Sequence, residues 1–334
     1  MAKNIFRLSV FFILSAAVLA VITPILSINN LLYPVRIDSS YVAQQQIAYE
    51  KQRTADENVS TQVFLYGPDQ LKINYIDVSL TMKDSTILKG WLAIDTTRMQ
   101  SPLLFIIPDI TEGAINYLSA LKQFCDRGFH VCVMNLRGQG NSGGDFYNPG
   151  NVSVTDVNYM LEQVKQMPFI GKVALLGTGT GAGIALKVVA QYSSADVVVL
   201  QNLPLSLRYL MKKKVETEWG SFVKPFFPVV MRSYEKNTGI HLKEYNYLEI
   251  IKKLYTPHLL VTANFLSKKD IEETVKIYNA STYFNKRLYI DTETYLKPTG
   301  LSNSKKYYDK ISTYINRSLP STKKRSRFGR LASR

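Results

Sequence analysis

Histidine and cysteine are the residues this sequence has least of. The 334-residue chain holds three histidines, His130, His241 and His258, and two cysteines, Cys125 and Cys132. Two cysteines cannot build a disulfide framework or a cysteine zinc site. Cys125 falls in a helical stretch and Cys132 in an apolar one, which predicts two buried free thiols. No metal site and no cofactor is expected. Acid is missing from the first 37 residues, which carry only Lys3, Arg7 and Arg36, and from Pro320 to the end, where six Lys and Arg lie. That tail has one aromatic, Phe328, and nothing upstream resembles a nucleic-acid-binding module, so nucleic acid is excluded as a partner. The tail reads as a solvated end, or else as an electrostatic arm for anionic lipid or a protein.

Charge is also absent from Leu8 to Ile28, LSVFFILSAAVLAVITPILSI. As a helix this run spans ~31 Å, the thickness of a bilayer core. Ala16, Ala17 and Ala20 raise the rival reading of a cleaved signal peptide, but the run is longer than the usual apolar region of one. The expectation is a single-pass signal anchor. Lys3 and Arg7 precede it and Asn29 to Val35 are uncharged, so the positive-inside rule leaves residues 1–7 cytoplasmic and the C-terminal domain extracytoplasmic.

The rest has a globular balance, 46% hydrophobic and 20% charged. Residues 29–69 read as a juxtamembrane spacer, polar and partly helical. Beyond them two strand-like runs from Ile73 and Ile87 flank the turn Lys83-Asp84-Ser85 and predict a hairpin. Apolar runs from Leu103, His130, Lys172, Asp196 and His258, and a further run from Arg287, then alternate with helical stretches. That alternation predicts right-handed crossovers and a mostly parallel sheet flanked by helices. Residues 203–253 break the rhythm. They are bulky and basic, carry Trp219, Phe222, Phe226, Phe227, Tyr234, Tyr245 and Tyr247, and read as a helical, lid-like insertion. These aromatics either cap the core or cover a hydrophobic ligand or partner.

The glycine cluster Gly177-Thr178-Gly179-Thr180-Gly181-Ala182-Gly183 joins a strand to a helix. It is open to three readings: a tight turn, a dinucleotide turn, or a nucleophile elbow of the G-x-S-x-G type with Gly179 in the serine's place. The dinucleotide turn needs an acid at the end of the next strand, which instead ends Gln201-Asn202. The flanking text LLGTGTGAGIAL resembles the elbow of α/β-hydrolases. So do Phe129 to Gly144, with Arg137, Gly138, Gly140, Ser142 and Gly144 in that family's pattern and Asn135 in its usual Asp position. Asp156, the hairpin from Lys83 to Trp91, and Pro257-His258-Leu259-Leu260-Val261 are similar to the family's motifs as well. The resemblance covers residues 70–316 and is nearest to N-terminally membrane-anchored α/β-hydrolase-domain proteins. It implies the α/β-hydrolase fold with an N-terminal antiparallel hairpin.

The same resemblance implies a nucleophile, a base, an acid and an oxyanion loop, and each expected position departs from it. Gly179 has no side chain to attack with. Leu266 stands in the acid's place and Tyr295 or Lys297 in the base's, with no histidine after His258. Pro108-Asp109 occupies the oxyanion loop, where a carboxylate facing the site would repel a developing oxyanion. Asp270 is expected to be a helix N-cap. The resulting expectation is a catalytically inactive, membrane-anchored binding or scaffold module, with a protein partner or a hydrophobic ligand. Asp109, Thr178, Gly179 and Thr180 are its candidate ligand-binding residues. The alternative is an esterase, lipase or peptidase with a rebuilt site using Asp109, Asp270 or a threonine.

Overall fold

The computed structural model describes residues 7–19, 22, 33, 35–55, 64–263, 267–292, 301–302 and 304–320. Leu266, Tyr295, Lys297 and the tail beyond Pro320 lie outside these, as does the expected span after residue 19 apart from Ile22. Residues 7–19 form a helix, α1. No helix among the described residues is long and apolar enough to cross a membrane.

Eight strands form one sheet: β1 (Tyr75–Thr81), β2 (Ile87–Ala93), β3 (Ser101–Ile107), β4 (His130–Met134), β5 (Ile170–Thr178), β6 (Val197–Gln201), β7 (His258–Ala263) and β8 (Lys286–Asp291). Their spatial order is β1-β2-β4-β3-β5-β6-β7-β8. β2 pairs antiparallel with both β1 and β4, and every other pairing is parallel. The central strands are buried on both faces, which accounts for their unbroken apolar runs. Leu103, Phe105 and Ile107 of β3 point into a core shared with α4 (Asn151–Lys165) and α5 (Thr180–Tyr192). Leu104 and Ile106 point the other way, onto α3 (Leu118–Cys125) and α10 (Lys305–Ser318). Truncating such a residue, Phe105 for example, costs roughly 3–5 kcal/mol.

The insertion holds α6 (Leu207–Trp219), α7 (Phe227–Thr238) and α8 (Tyr247–Ile251) with short 3₁₀ turns between them. Its aromatics divide: Tyr234, Tyr245 and Tyr247 are buried in the core, whereas Phe222 is exposed. α9 (Lys268–Ala280) precedes β8. Its N-cap is Ser267, whose hydroxyl accepts from the Asp270 amide; Asp270 sits in the first turn and pairs with Lys213 of α6. This corrects the expectation that Asp270 caps the helix. Serine takes the cap, and the carboxylate gains from the helix dipole and from Lys213.

The segment before the domain is helical over α2 (Ser39–Ala55), and its Ile37 and Val42 pack on the core. Arg36 donates to the carbonyls of Ser142, 2.8 Å, and Gly144, 2.6 Å, and Tyr33 packs edge-on against Phe146.

Arg137 explains why the motif around it is laid out as it is. It donates through Nε and Nη2 to Asp156, 2.6 and 3.0 Å, and through Nη1 and Nη2 to Asp84 at the hairpin turn, 2.5 and 3.1 Å. Asp156 is buried. Replacing Arg137 with Met leaves that carboxylate without its cation, and urea unfolding is expected to show a loss of about 3–5 kcal/mol. A loss below about 1 kcal/mol, the range of an exposed pair, would contradict this role.

Candidate functional site

β5 runs through Gly177 and Thr178, and α5 begins at Thr180, so the chain reverses at Gly179 alone. Gly179 has φ 53° and ψ −116°. That region is strained for a residue with a Cβ, and it is the sharp strand-to-helix turn a nucleophile elbow uses. The elbow geometry is therefore present although its serine is not.

The space in front of Gly179 is filled by the chain itself. A Cβ built on Gly179 would lie 2.5 Å from both Cγ and Oδ1 of Asp109, on the loop after β3. Asp109 Oδ1 accepts from the Thr180 amide at 2.8 Å, the Thr180 hydroxyl at 2.7 Å and its neighbour's amide, Ile110, at 2.8 Å. In an elbow enzyme the oxyanion donors are the amide after the nucleophile and an amide of the loop after β3. The Thr180 amide follows Gly179 and the Ile110 amide belongs to the loop after β3, and one carboxylate oxygen accepts from both. The Asp109 carboxylate thus lies against Gly179 and the start of α5.

This arrangement also caps α5. The helices α6, α8, α9 and α10 are capped by the adjacent Ser206, Asn246, Ser267 and Ser304. Gly179 offers no cap, and the carboxylate comes from 71 residues away, placed at the positive end of the helix dipole. The loop bearing it is held by Gln139, whose Nε2 donates to the Asp109 carbonyl at 2.7 Å. The helix end that a dinucleotide pyrophosphate would need is thus taken. Gly183, one turn on, lies under the ring of Tyr247, 2.3 Å from a built Cβ.

Thr178, Gly179, Thr180 and Asp109 come together, and both threonines are buried. Thr180 Oγ1 also accepts from the Tyr147 hydroxyl at 3.0 Å and from the Ile110 amide at 2.9 Å. Thr178 Oγ1 lies 2.5 Å from the Tyr117 hydroxyl, which also donates to Glu112. Burial first, then the Glu112 carboxylate, pushes the Tyr117 phenol well above its ordinary pKa, so it stays a donor. Tyr117, Tyr147, Glu112 and Gln139 went unnoticed in the sequence. Nothing local marks them, since only the crossover topology brings them to the elbow.

Asp270 is held by Lys213 and by the Ser267 hydroxyl, 2.8 Å. The histidines are elsewhere. His130 and His258 are the first residues of β4 and β7, at the opposite end of these parallel strands from Gly179. His241 is exposed in the insertion. His258 donates from Nδ1 to the Thr256 carbonyl, 2.8 Å, and its buried Nε2 has no partner among the described residues. Burial chiefly, with Lys286 adding to it, lowers its pKa, and burial lowers that of His130. Both fold as neutral rings. The stability they carry is complete above the unfolded histidine pKa of about 6.5 and is lost as pH falls below it through the folded values. Thermal melts should therefore drop below about pH 6.5, and His258→Phe should flatten that slope. An unchanged slope in the variant would rule His258 out as its cause.

The profile of the serine aminopeptidase S33 family matches residues 100–240. Among solved structures, an esterase from Pyrococcus furiosus superposes with a TM-score of 0.57 at 20% identity, over 78% of this chain and 98% of that one. This chain has the α/β-hydrolase fold. An α/β-hydrolase from Penicillium sp. sh18 gives a TM-score of 0.55 at 17% identity, over 74% and 99%. An acetyl xylan esterase from Paenibacillus sp. R4 gives 0.54 at 14%, over 87% and 99%. No curated protein matches the sequence. The strand-to-helix turn at Gly179 has an elbow's backbone conformation, and the Asp109 carboxylate lies against it.

Proposed function

We propose that this α/β-hydrolase-fold protein is a catalytically inactive binding module, anchored to a membrane by its N-terminal apolar run. One observation carries the inactive reading: the Asp109 carboxylate sits where a nucleophile side chain and an oxyanion would both have to be. Loss of a triad nucleophile alone costs roughly 10⁶-fold in rate. The missing serine, the occupied oxyanion donors and the distant histidines all bear on the same step. The partner class is a protein or a hydrophobic ligand. The test is turnover of a panel of p-nitrophenyl esters and aminoacyl p-nitroanilides. Rates equal to those of heat-denatured protein are expected; saturable turnover would overturn the reading.

The rebuilt-site alternative draws support from the esterase neighbours and from the chain Thr178–Tyr117–Glu112. That hydroxyl is buried, however, and its partner is a phenol held protonated rather than a base.

The anchor reading is supported by α1, whose Leu8, Phe11, Phe12, Ile13, Leu14, Val18 and Leu19 are all exposed. A helix apolar all round is stable in lipid or buried in protein, not in water. With Lys3 and Arg7 before the run, the domain is extracytoplasmic. Protease added outside intact cells is expected to digest the domain. Protection while an outer control protein is cleaved would reverse the orientation.

A further inference from the structure

We infer that the helical insertion is a second membrane contact: the α6–α7 corner lies against an anionic lipid surface, so that the domain rests face-down on the bilayer. The inference rests on the anchor reading above.

The corner carries an apolar tip with a basic rim. Phe222 and Val229 are 59% and 54% exposed, and Pro225 and Pro228 beside them are exposed too. Lys224, Arg232 and Lys236 are exposed and make no ion pair among the described residues. Val229, Arg232 and Lys236 are spaced by three and four residues, so they share one face of α7. Val230, Met231 and Tyr234 bury the opposite face. An apolar strip flanked by cations is the composition of an interfacial helix, drawn to anionic lipid by its charge.

A rival patch exists at the other end of the sheet, where Tyr255 and Phe284 are 81% and 84% exposed ahead of β7 and β8. The tether decides between them. Tyr33 is fixed against Phe146, and Arg36 against Ser142 and Gly144, at the sheet's C-terminal end. Four residues separate Tyr33 from Ile28, the end of the apolar run, a reach over five steps of at most about 18 Å. The bilayer therefore lies within that distance of Phe146. The loop from Phe146 continues to Gly150, whose built Cβ would touch Ile240 just after α7. The C-terminal turn of α7 is thus near the end of the sheet that the tether holds, and Tyr255 and Phe284 lie ahead of β7 and β8 at the other end.

The test uses the full chain reconstituted in vesicles, with Cys125→Ser and an environment-sensitive label on Val229→Cys or Phe284→Cys. The vesicles are phosphatidylcholine alone or equal parts of phosphatidylcholine and phosphatidylserine, each with an acyl-chain spin label as quencher. The Val229→Cys label is expected to be quenched and blue-shifted in the phosphatidylserine vesicles and not the Phe284→Cys label. Lys224→Glu with Arg232→Glu should bring its quenching down to the Phe284→Cys level. Raising salt from 0.1 to 1 M, which shortens screening from about 10 to about 3 Å, should weaken it as well. Equal quenching in both lipids would overturn the anionic-surface claim, and quenching at Phe284→Cys alone would put the opposite face on the bilayer. A chain that floats with vesicles but shows no quenching at Val229→Cys overturns this inference and leaves the anchor standing. A chain that does not float overturns both.

Discussion

Gly179→Ser is expected to yield a less stable protein with no esterase activity, the reverse of a simple repair. The elbow conformation, φ 53° and ψ −116°, stores about 1–3 kcal/mol in a residue with a side chain. The new Cβ would also meet the Asp109 carboxylate at 2.5 Å, so Asp109 must leave the Thr180 and Ile110 amides. The Ile110 amide keeps the Thr180 hydroxyl, 2.9 Å, but the Thr180 amide is left stranded at a cost of about 1–3 kcal/mol. Adding Asp109→Ala to Gly179→Ser removes the collision. The double variant should be more stable than the sum of the two single changes allows, because the residues are in contact. Additive losses would place Asp109 elsewhere. Neither variant gains a base, since His130 and His258 lie at the far end of the sheet.

The second large effect is expected from Asp109→Ala alone. The carboxylate caps α5 and takes the Thr180 amide and hydroxyl, so its removal should cost about 2–4 kcal/mol from one or two unpaired donors and the lost helix-end charge. The vacated space has the size of a carboxylate and two amides aimed into it. Formate should therefore raise the melting temperature of Asp109→Ala and leave the unmutated protein unmoved. At ten times its Kd it would return about 1.4 kcal/mol. Equal effects of formate and chloride on the two proteins would contradict an anion cradle at this position.

Both predictions begin from residues the sequence made visible. A single apolar run flanked by turns is enough to place β3, β4 and β5, because strands buried on both faces need no alternation. The sharp turn at Gly179 was legible because a glycine cluster lies between a strand-like run and a helical one. That a carboxylate, Asp109, stands on the loop after β3 was legible from the sequence. That it occupies the nucleophile's space was not, since that depends on how the loop after β3 meets α5 across two crossovers. Tyr117 and Tyr147 were invisible for the same reason, being two among 21 tyrosines. Asp270 was misjudged as a cap because Ser267, three residues before it, competes for that position and holds it. Within the insertion, composition could not separate Tyr247, pressed on Gly183, from Phe222 in solvent. Tyr247 opens α8 and Phe222 lies in the 3₁₀ turn before α7, so the two belong to different short elements with no shared periodicity.

The central claim is that no nucleophile is armed at the elbow. A fluorophosphonate probe reacts with a serine or threonine hydroxyl only where a neighbouring base activates it. Incubation of the unmutated full-length protein with such a probe, read by intact mass, is predicted to leave the mass unchanged under conditions that label an active esterase to completion. A single adduct mapped to Thr178, Thr180 or a nearby serine, and abolished by prior heat denaturation, would contradict the account.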